Sequence, residues 1–231
     1  MPFQKQVYQY QAPGVAGAFS SVNPVFSLLA EPNTLVSPGN VNVGNFVFVN
    51  RGVNPPVASA TYSAGYAIGF LNRDYQALIT GYLAETSNTI PQGFPLALMA
   101  GGDFWAEFPG GSTAGQTVYA DNQTGVAVSG GGASFTGSIA PSADGLTGVL
   151  TVTAVASGYI GANTGLAGTG VAAGSVITSQ LSGTNGGVGT YAVSIPQTVA
   201  SEALTSPATQ TNWRVVSSCA AGEIAKISTS N

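Results

Sequence analysis

Two carboxylates, Asp103 and Glu107, form the side-chain pair in this sequence that comes nearest to a catalytic arrangement, because paired acids beside aromatic residues are what glycosidases use. A spacing of four along an extended strand places both acids on one face, about 13 Å apart at the backbone. That distance is too wide for a glycosidase unless the side chains converge. The alternative, which we favour, is a strand whose Phe104, Ala106 and Phe108 face the core while both acids face solvent.

Other kinds of catalytic or metal site lack the residues that they need. The chain has no histidine and a single cysteine, Cys219, so it offers neither an activated Ser or Cys nucleophile nor four tetrahedral zinc ligands. The glycine-rich stretches do not continue as Gly-Lys-Ser/Thr, which predicts turns rather than phosphate loops. Residues 121–125 supply too few oxygen ligands for a recognised calcium loop and also predict a turn. We therefore predict a binding protein that is not an enzyme and has no cofactor or metal.

The chain is unusually poor in charge. Only 6% of its 231 residues are charged, with five Lys+Arg against nine Asp+Glu, whereas soluble proteins average about 25%. Five cations cannot form the basic stripe that neutralises phosphates, and no apolar run approaches the roughly 20 residues that cross a bilayer. We expect neither nucleic-acid nor membrane binding. So neutral a surface instead predicts an assembly in which partners cover part of it.

The predicted fold is all-β, because short runs rich in β-branched and aromatic residues alternate with turn signals. This pattern is typical of a jelly roll or other β-sandwich. A single short helix is predicted at residues 24–30. The predicted strands are residues 41–49, 75–83, 95–99, 116–119, 133–139, 148–155, 174–181, 189–195, 213–216 and 223–227.

Composition divides the chain into two parts. Between residues 121 and 212 only Phe135, Tyr159 and Tyr191 are aromatic, and Asp144 is the sole charge between residues 122 and 201. All five cations lie outside this middle stretch. We predict a discontinuous domain of residues 1–127 plus 210–231, interrupted by an inserted β module of residues 128–209, since exposed loops tolerate insertions.

Aromatic residues recur near the amino terminus within a polar stretch that contains Pro and Gly. Tyr8, Tyr10, Phe19 and Phe26 are equally compatible with gripping a sugar or a partner and with packing in the core. Their setting suits an arm laid across a neighbouring subunit.

Several short stretches, taken in order along the flanking sequence, resemble one known family. They are Phe3-Gln-Lys-Gln-Val-Tyr8, Ala12-Pro-Gly-Val-Ala-Gly17, Gly69-Phe-Leu-Asn-Arg73, Gln76-Ala-Leu-Ile-Thr80, Ile90-Pro-Gln-Gly-Phe-Pro95, Gly102-Asp-Phe-Trp105, Trp213-Arg-Val-Val216 and Ala220-Ala-Gly-Glu-Ile-Ala-Lys-Ile-Ser228. This set resembles the structural cement, or capsid decoration, proteins of tailed bacteriophages. The middle stretch is similar to Gly/Thr-rich β modules of phage virion proteins and departs from a plain cement protein, which would run from residue 121 almost directly to Trp213.

The resemblance implies a jelly-roll β-sandwich made in the bacterial host's cytoplasm and present in many copies on the outer surface of the expanded capsid. There it would clamp neighbouring subunits of the major capsid protein, as a homo-oligomer for which a dimer is favoured and a trimer is possible. The inserted module would project outward, where binding of host surface glycans is a hypothesis. The residues expected to contact the capsid are Phe3, Lys5, Tyr8, Tyr10, Phe19, Arg73 and Arg214.

Two other functions remain open on the sequence alone. The Gly/Thr-rich strands also fit an adhesin or a tail-fibre or head-fibre module that recognises host glycans. A carbohydrate-active enzyme would use Asp103 and Glu107.

Overall fold

A computed structural model describes residues 14–28, 35–74 and 88–230 of the chain. Those ranges contain strands, turns and loops and no helix, which confirms the predicted all-β class. That part of the chain therefore holds no helix long and apolar enough to cross a lipid bilayer. The strands are β1 Phe26–Ser27, β2 Val41–Asn42, β3 Phe46–Asn50, β4 Val57–Ser59, β5 Ala67–Leu71, β6 Thr89–Ile90, β7 Leu98–Gly101, β8 Asp103–Phe108, β9 Thr117–Asp121, β10 Ala127–Ser129, β11 Ala133–Pro141, β12 Gly148–Ser157, β13 Thr164–Gly165, β14 Val176–Gly183, β15 Gly189–Val193, β16 Val199–Ser206, β17 Ala208–Val215 and β18 Glu223–Ser228.

Two five-stranded antiparallel sheets pack face to face as a sandwich. Their strand orders are β1-β7-β5-β3-β4 and β10-β9-β17-β18-β8. Aromatic rings from the two sheets meet in the core, where the Phe46 and Trp213 centroids lie 5.4 Å apart and those of Phe70 and Phe104 lie 5.0 Å apart. These large side chains are almost wholly buried, and their burial is the main stabilising contribution to the sandwich.

The first sheet is buried on both faces. Phe46 and Phe48 face the sandwich core, whereas Val47 and Val49 face a second cluster that includes Leu71 and Leu98. This explains why β3 is a continuous apolar run instead of an alternation of apolar and polar residues.

The third sheet is a small barrel with the strand order β13-β14-β15-β12-β11-β16. An isolated antiparallel bridge joins Ala167, just after β13, to Thr205 of β16, so the two ends of the sheet meet and protect each other's edges. The barrel has its own apolar core, which includes Phe135, Leu150 and Tyr191. The predicted domain boundaries stay a prediction.

Two predicted elements are wrong in detail. The segment predicted as a helix at residues 24–30 contains β1, because Phe26 and Ser27 pair with β7 and form the edge of its sheet. Residues 29 and 30 lie outside the described ranges. The strand predicted at residues 41–49 is interrupted by a turn at Gly44, whose φ of 89° a glycine adopts readily. The strand predicted at residues 75–83 lies outside the described residues.

Candidate functional site

The first described segment, residues 14–28, lies along the edges of both sandwich sheets; we call it the arm. Gly17 N–H donates to the Trp105 carbonyl at 2.8 Å, and Trp105 N–H donates to the Ala18 carbonyl at 3.0 Å. Farther along, Phe26 pairs with Gly101 of β7, and Leu28 is buried in the second apolar cluster. The arm thus covers the open edge of β8 and adds a strand beside β7.

The arm presents a row of exposed apolar side chains. Val22 is fully exposed, Phe26 is 62% exposed and Phe19 is 48% exposed. The Phe19 ring also contacts the Phe104 ring, with 5.2 Å between centroids, so one side of Phe19 is fixed on the core while the other faces outward. Val15 and Val25 are also exposed. Exposed apolar side chains so close together are typical of a surface that binds a partner.

Asp103 anchors the arm to β8. Its Oδ2 atom accepts hydrogen bonds from Ser21 Oγ at 2.7 Å and from Asn23 Nδ2 at 2.6 Å. Burial is the largest single influence on the Asp103 pKa and raises it, but the polar groups of Ser228, Ser21 and Asn23 and the charge of Lys226 together lower the pKa below its ordinary value. The expectation that both acids of β8 face solvent is therefore wrong for Asp103, because the arm covers it. It is correct for Glu107, and Phe104, Ala106 and Phe108 face the core as predicted.

Trp105 is the second contact between the arm and the outer face of β8. A Cβ atom added to Gly14 would lie 2.6 Å from its Nε1 atom, which shows how closely the arm backbone covers the indole. On the neighbouring strand β18, the Lys226 ammonium lies 5.2 Å from the ring centroid, within cation–π range. No local sequence pattern indicates either contact.

The structure brings together some of the residues expected to contact a capsid. Phe19 is in the arm, and Arg73 lies beside it, because Arg73 N–H donates to the Gly17 carbonyl at 2.7 Å. Arg214 is exposed on β17, which β18 separates from β8, so it is not part of this cluster. The other four, Phe3, Lys5, Tyr8 and Tyr10, lie outside the described residues.

A buried carboxylate, Asp121, connects the sandwich to the barrel. Its Oδ1 atom accepts from the backbone N–H groups of Gln123 and Thr124, which confirms the turn predicted here. Its Oδ2 atom accepts from Gly165 N–H at 2.9 Å and from Ser206 Oγ at 3.4 Å. Sequence spacing predicted the turn but not the connection, because Gly165 is 44 residues away. Across residues 14–28, 35–74 and 88–230, no three Asp, Glu or Cys side chains form a group that could hold a metal ion.

A polar cleft lies between the sandwich and the barrel. It has a larger lobe of about 420 Å³ and a smaller lobe of about 190 Å³. Glu107, Pro109 and Asn163 line both lobes, so the two adjoin. The larger lobe falls within the range of about 300–1,000 Å³ that is usual for small-molecule sites.

Comparison with known proteins identifies a family for most of this architecture. Residues 3–150 match the family model described as XM1 gp53 minor capsid protein. The matched range covers more than half of the chain and includes the arm, strands β1 to β11 and part of β12. No curated protein matches the chain.

Proposed function

Because the chain belongs to the XM1 gp53 minor capsid protein family, it is a structural protein of a phage capsid, and we propose that it acts there as a cement protein. In this role it binds the outer surface of the expanded shell and clamps neighbouring subunits of the major capsid protein. The observation that carries the proposal is the arm, which is held firmly on the sandwich while its apolar side chains remain uncovered.

The arm has the properties of a preorganised docking element. Its backbone pairs with β8, and the Asp103 carboxylate holds Ser21 and Asn23. Binding therefore requires less ordering of the chain than docking of a free peptide does. Phe19 and Val22 would enter apolar depressions of the shell, and Arg73 would make polar contacts beside them. We place Phe3, Lys5, Tyr8 and Tyr10 in the same interface because they lead into the arm, and Arg214 in a separate polar contact.

The charge of the chain supports the outer surface as the place of attachment. With five Lys+Arg and a formal net charge of −4, the protein has no basic surface to offer the packaged nucleic acid. A protein on the outside of the shell faces the medium, for which a neutral polar exterior is sufficient. The barrel supplies such an exterior, since Ser, Thr and Gly are frequent on its exposed positions.

Clamping follows from multivalency. A protein that binds the assembled shell but not its free subunits stabilises the shell by mass action. If a homo-oligomer presents two or three arms, binding of one arm raises the effective concentration of the other arms at the shell, so several weak contacts together bind tightly. We favour a dimer, the commonest closed symmetry, with a trimer as the alternative.

The test is a binding experiment with expanded, undecorated capsids. We expect the full-length protein to sediment with the capsids and to appear by electron microscopy as regular density over the whole shell. Burying one valine contributes about 1.5 kcal/mol or more, so Val22→Asp should weaken binding by about tenfold or more. The matched control is Leu146→Asp, which changes a residue that is 75% exposed on the barrel and should bind like the wild type.

Two results would contradict the proposal. One is a failure of the wild-type protein to bind at saturating concentration. The other is equal binding by Val22→Asp and Leu146→Asp, because the arm would then not be the contact surface.

A second candidate is an adhesin or a tail-fibre or head-fibre module that recognises host glycans. The polar cleft beside the barrel is the observation that favours it. Position and copy number distinguish the two functions, since a fibre module would appear as a few copies at one vertex or at the tail.

A further inference from the structure

Side-chain amides are the most frequent polar groups in the lining of the polar cleft. The larger lobe contains six of them, namely Asn40, Asn42, Asn45, Asn88, Gln123 and Asn163. The smaller lobe adds Tyr159, Gln180 and Asn185. Together these amides offer a ligand many hydrogen-bond donors and acceptors that carry no charge.

In several of these amides, either the oxygen or the NH2 group has a hydrogen-bond partner and the other group has none. Asn42 Oδ1 accepts from Thr89 Oγ1 at 2.8 Å, and Asn88 Oδ1 accepts from Arg73 Nη1 at 2.7 Å. Asn45 uses its Nδ2 group to donate to the Thr124 carbonyl at 3.3 Å. Within the described residues, the amide groups of Asn42 and Asn88 and the Oδ1 atom of Asn45 have no partner. These side chains are therefore oriented before any ligand arrives, with donors and acceptors still available.

Gln123 provides the sharpest sign of a missing partner. Its Nε2 group donates to the Leu166 carbonyl at 3.4 Å, whereas its Oε1 atom is buried and has no hydrogen-bond partner among the described residues. Leaving a buried polar atom unpaired is costly, and such atoms are rare in native proteins. A ligand hydroxyl group would satisfy this atom once the Gln123 side chain turned toward the larger lobe, whose wall it forms.

Asn163 lies where the two lobes join. Its φ of 60° is in the left-handed region, which Asn tolerates better than most residues but which still favours glycine. The side chain is exposed. A residue held in this conformation at the mouth of a cleft is common at binding sites.

The charges around the cleft select the class of ligand. Among the described lining residues Glu107 is the one charged side chain, and its carboxylate can accept two hydroxyl groups. Arg73, the nearest cation with a contact to the lining, is engaged with Asn88. Such a site offers little attraction to phosphate, sulfate or carboxylate groups. Apolar surface from the half-buried Pro109 and Val176 is available to the C–H faces of a ring.

We propose that this cleft binds a neutral oligosaccharide. Neighbouring hydroxyl groups of a sugar ring each donate and accept a hydrogen bond, and that pattern matches amides with one free end and the Glu107 carboxylate. The two adjoining lobes would hold neighbouring sugar units. The site is built from both the sandwich and the barrel, so it extends beyond the inserted module that the sequence suggested, and it does not depend on attachment to a capsid.

The experiment uses the full-length protein and a printed panel of neutral oligosaccharides of hexoses and N-acetylhexosamines, with sialylated and sulfated glycans as the contrast. Binding of the best neutral glycan is then measured by calorimetry. Asn163→Gly removes the amide and suits the left-handed backbone, and Glu107→Gln removes the charge at nearly constant shape. We expect each variant to lose about tenfold in affinity, equivalent to one good hydrogen bond to a ligand.

The matched control is Asn212→Ala, which removes an exposed amide on β17 away from the cleft and should leave glycan affinity unchanged. The proposal is overturned by an absence of neutral glycan binding at millimolar concentration, by binding confined to the anionic glycans, or by affinity that survives both cleft variants. Capsid sedimentation of Asn163→Gly separates the two proposals, because cement function predicts unchanged capsid binding whatever the glycan result.

Discussion

Replacing Asp121 by alanine should destabilise the junction between the sandwich and the barrel. The carboxylate is almost wholly buried and accepts hydrogen bonds from Gln123 N–H, Thr124 N–H and Thr124 Oγ1 on one oxygen and from Gly165 N–H and Ser206 Oγ on the other. Alanine fits the space but supplies no acceptor, so these donors lose their partner together.

The expected cost follows from how well water can reach each donor. Gly165 N–H is buried, and an unpaired buried donor costs about 1–3 kcal/mol. The N–H groups of Gln123 and Thr124 are in a half-buried turn, so each loses a net contribution of about 0.5–1.5 kcal/mol. The sum, about 2–6 kcal/mol, is a large part of the total stability of about 5–15 kcal/mol of an ordinary domain.

Urea unfolding followed by circular dichroism measures this effect. We expect the midpoint of the affected transition to fall by about 1–3 M, because the unfolding free energy usually changes by about 2 kcal/mol per molar urea. Asp144→Ala is the matched control, because Asp144 also caps a turn, through Leu146 N–H at 3.0 Å, but is fully exposed. A midpoint for Asp121→Ala equal to that of Asp144→Ala would refute the role assigned to Asp121.

Three further predictions concern the arm, the barrel and one turn. Because the Asp103 pKa is lowered in the folded state, the hydrogen bonds of its carboxylate stabilise the arm fully above the ordinary pKa of 3.8. This stabilisation is lost as the pH falls through the lowered pKa. Tryptophan fluorescence should therefore report release of the arm below about pH 4, and Asp103→Asn should remove that transition. Replacement of residues 133–206 by a two-glycine turn should leave a folded sandwich that still binds capsids, because the two ends of the removed segment are paired in register. Loss of capsid binding by the folded remainder would contradict this prediction. Gly125→Ala should lower the melting temperature of the protein far more than Gly145→Ala does. Both glycines have positive φ, but only at Gly125 would the added Cβ collide with a backbone carbonyl, that of Phe46. Equal melting temperatures of the two variants would contradict this prediction.

Four of the six barrel strands, β11, β12, β14 and β15, could be predicted from the sequence, whereas β13 and β16 were missed. Along β11 the apolar side chains at alternate positions face the barrel core, and this period of two is visible in the sequence itself. The turn at Gly44 could not be predicted in the same way, because β-branched and aromatic residues lie on both sides of it. The valines on both sides of the turn are buried in the same cluster, so burial on one face does not reveal the interruption.

The candidate site was harder to predict because its contacts join distant parts of the chain. Asp103 is 82 residues from Ser21, and no local pattern indicates that an arm will cover the carboxylate. Sequence spacing instead placed Asp103 in solvent, since an acid that alternates with apolar residues on a strand usually faces outward. The apolar character of the arm was visible as Phe19 and Phe26, but its exposure depends on how the arm lies on β7 and β8.

The two buried carboxylates show how a chain with so few charges holds its acids in place. Asp103 and Asp121 are held chiefly by neutral donors, namely hydroxyl, amide and backbone N–H groups, and Lys226 contributes to Asp103 as the smallest influence on its pKa. Buried hydrogen bonds of this kind are screened by salt much less than exposed ion pairs are. An arm that docks through apolar side chains is likewise insensitive to salt. A chain with few charges can therefore hold its own fold, and in our proposal the shell, across the range of ionic strengths that a virion meets outside its host.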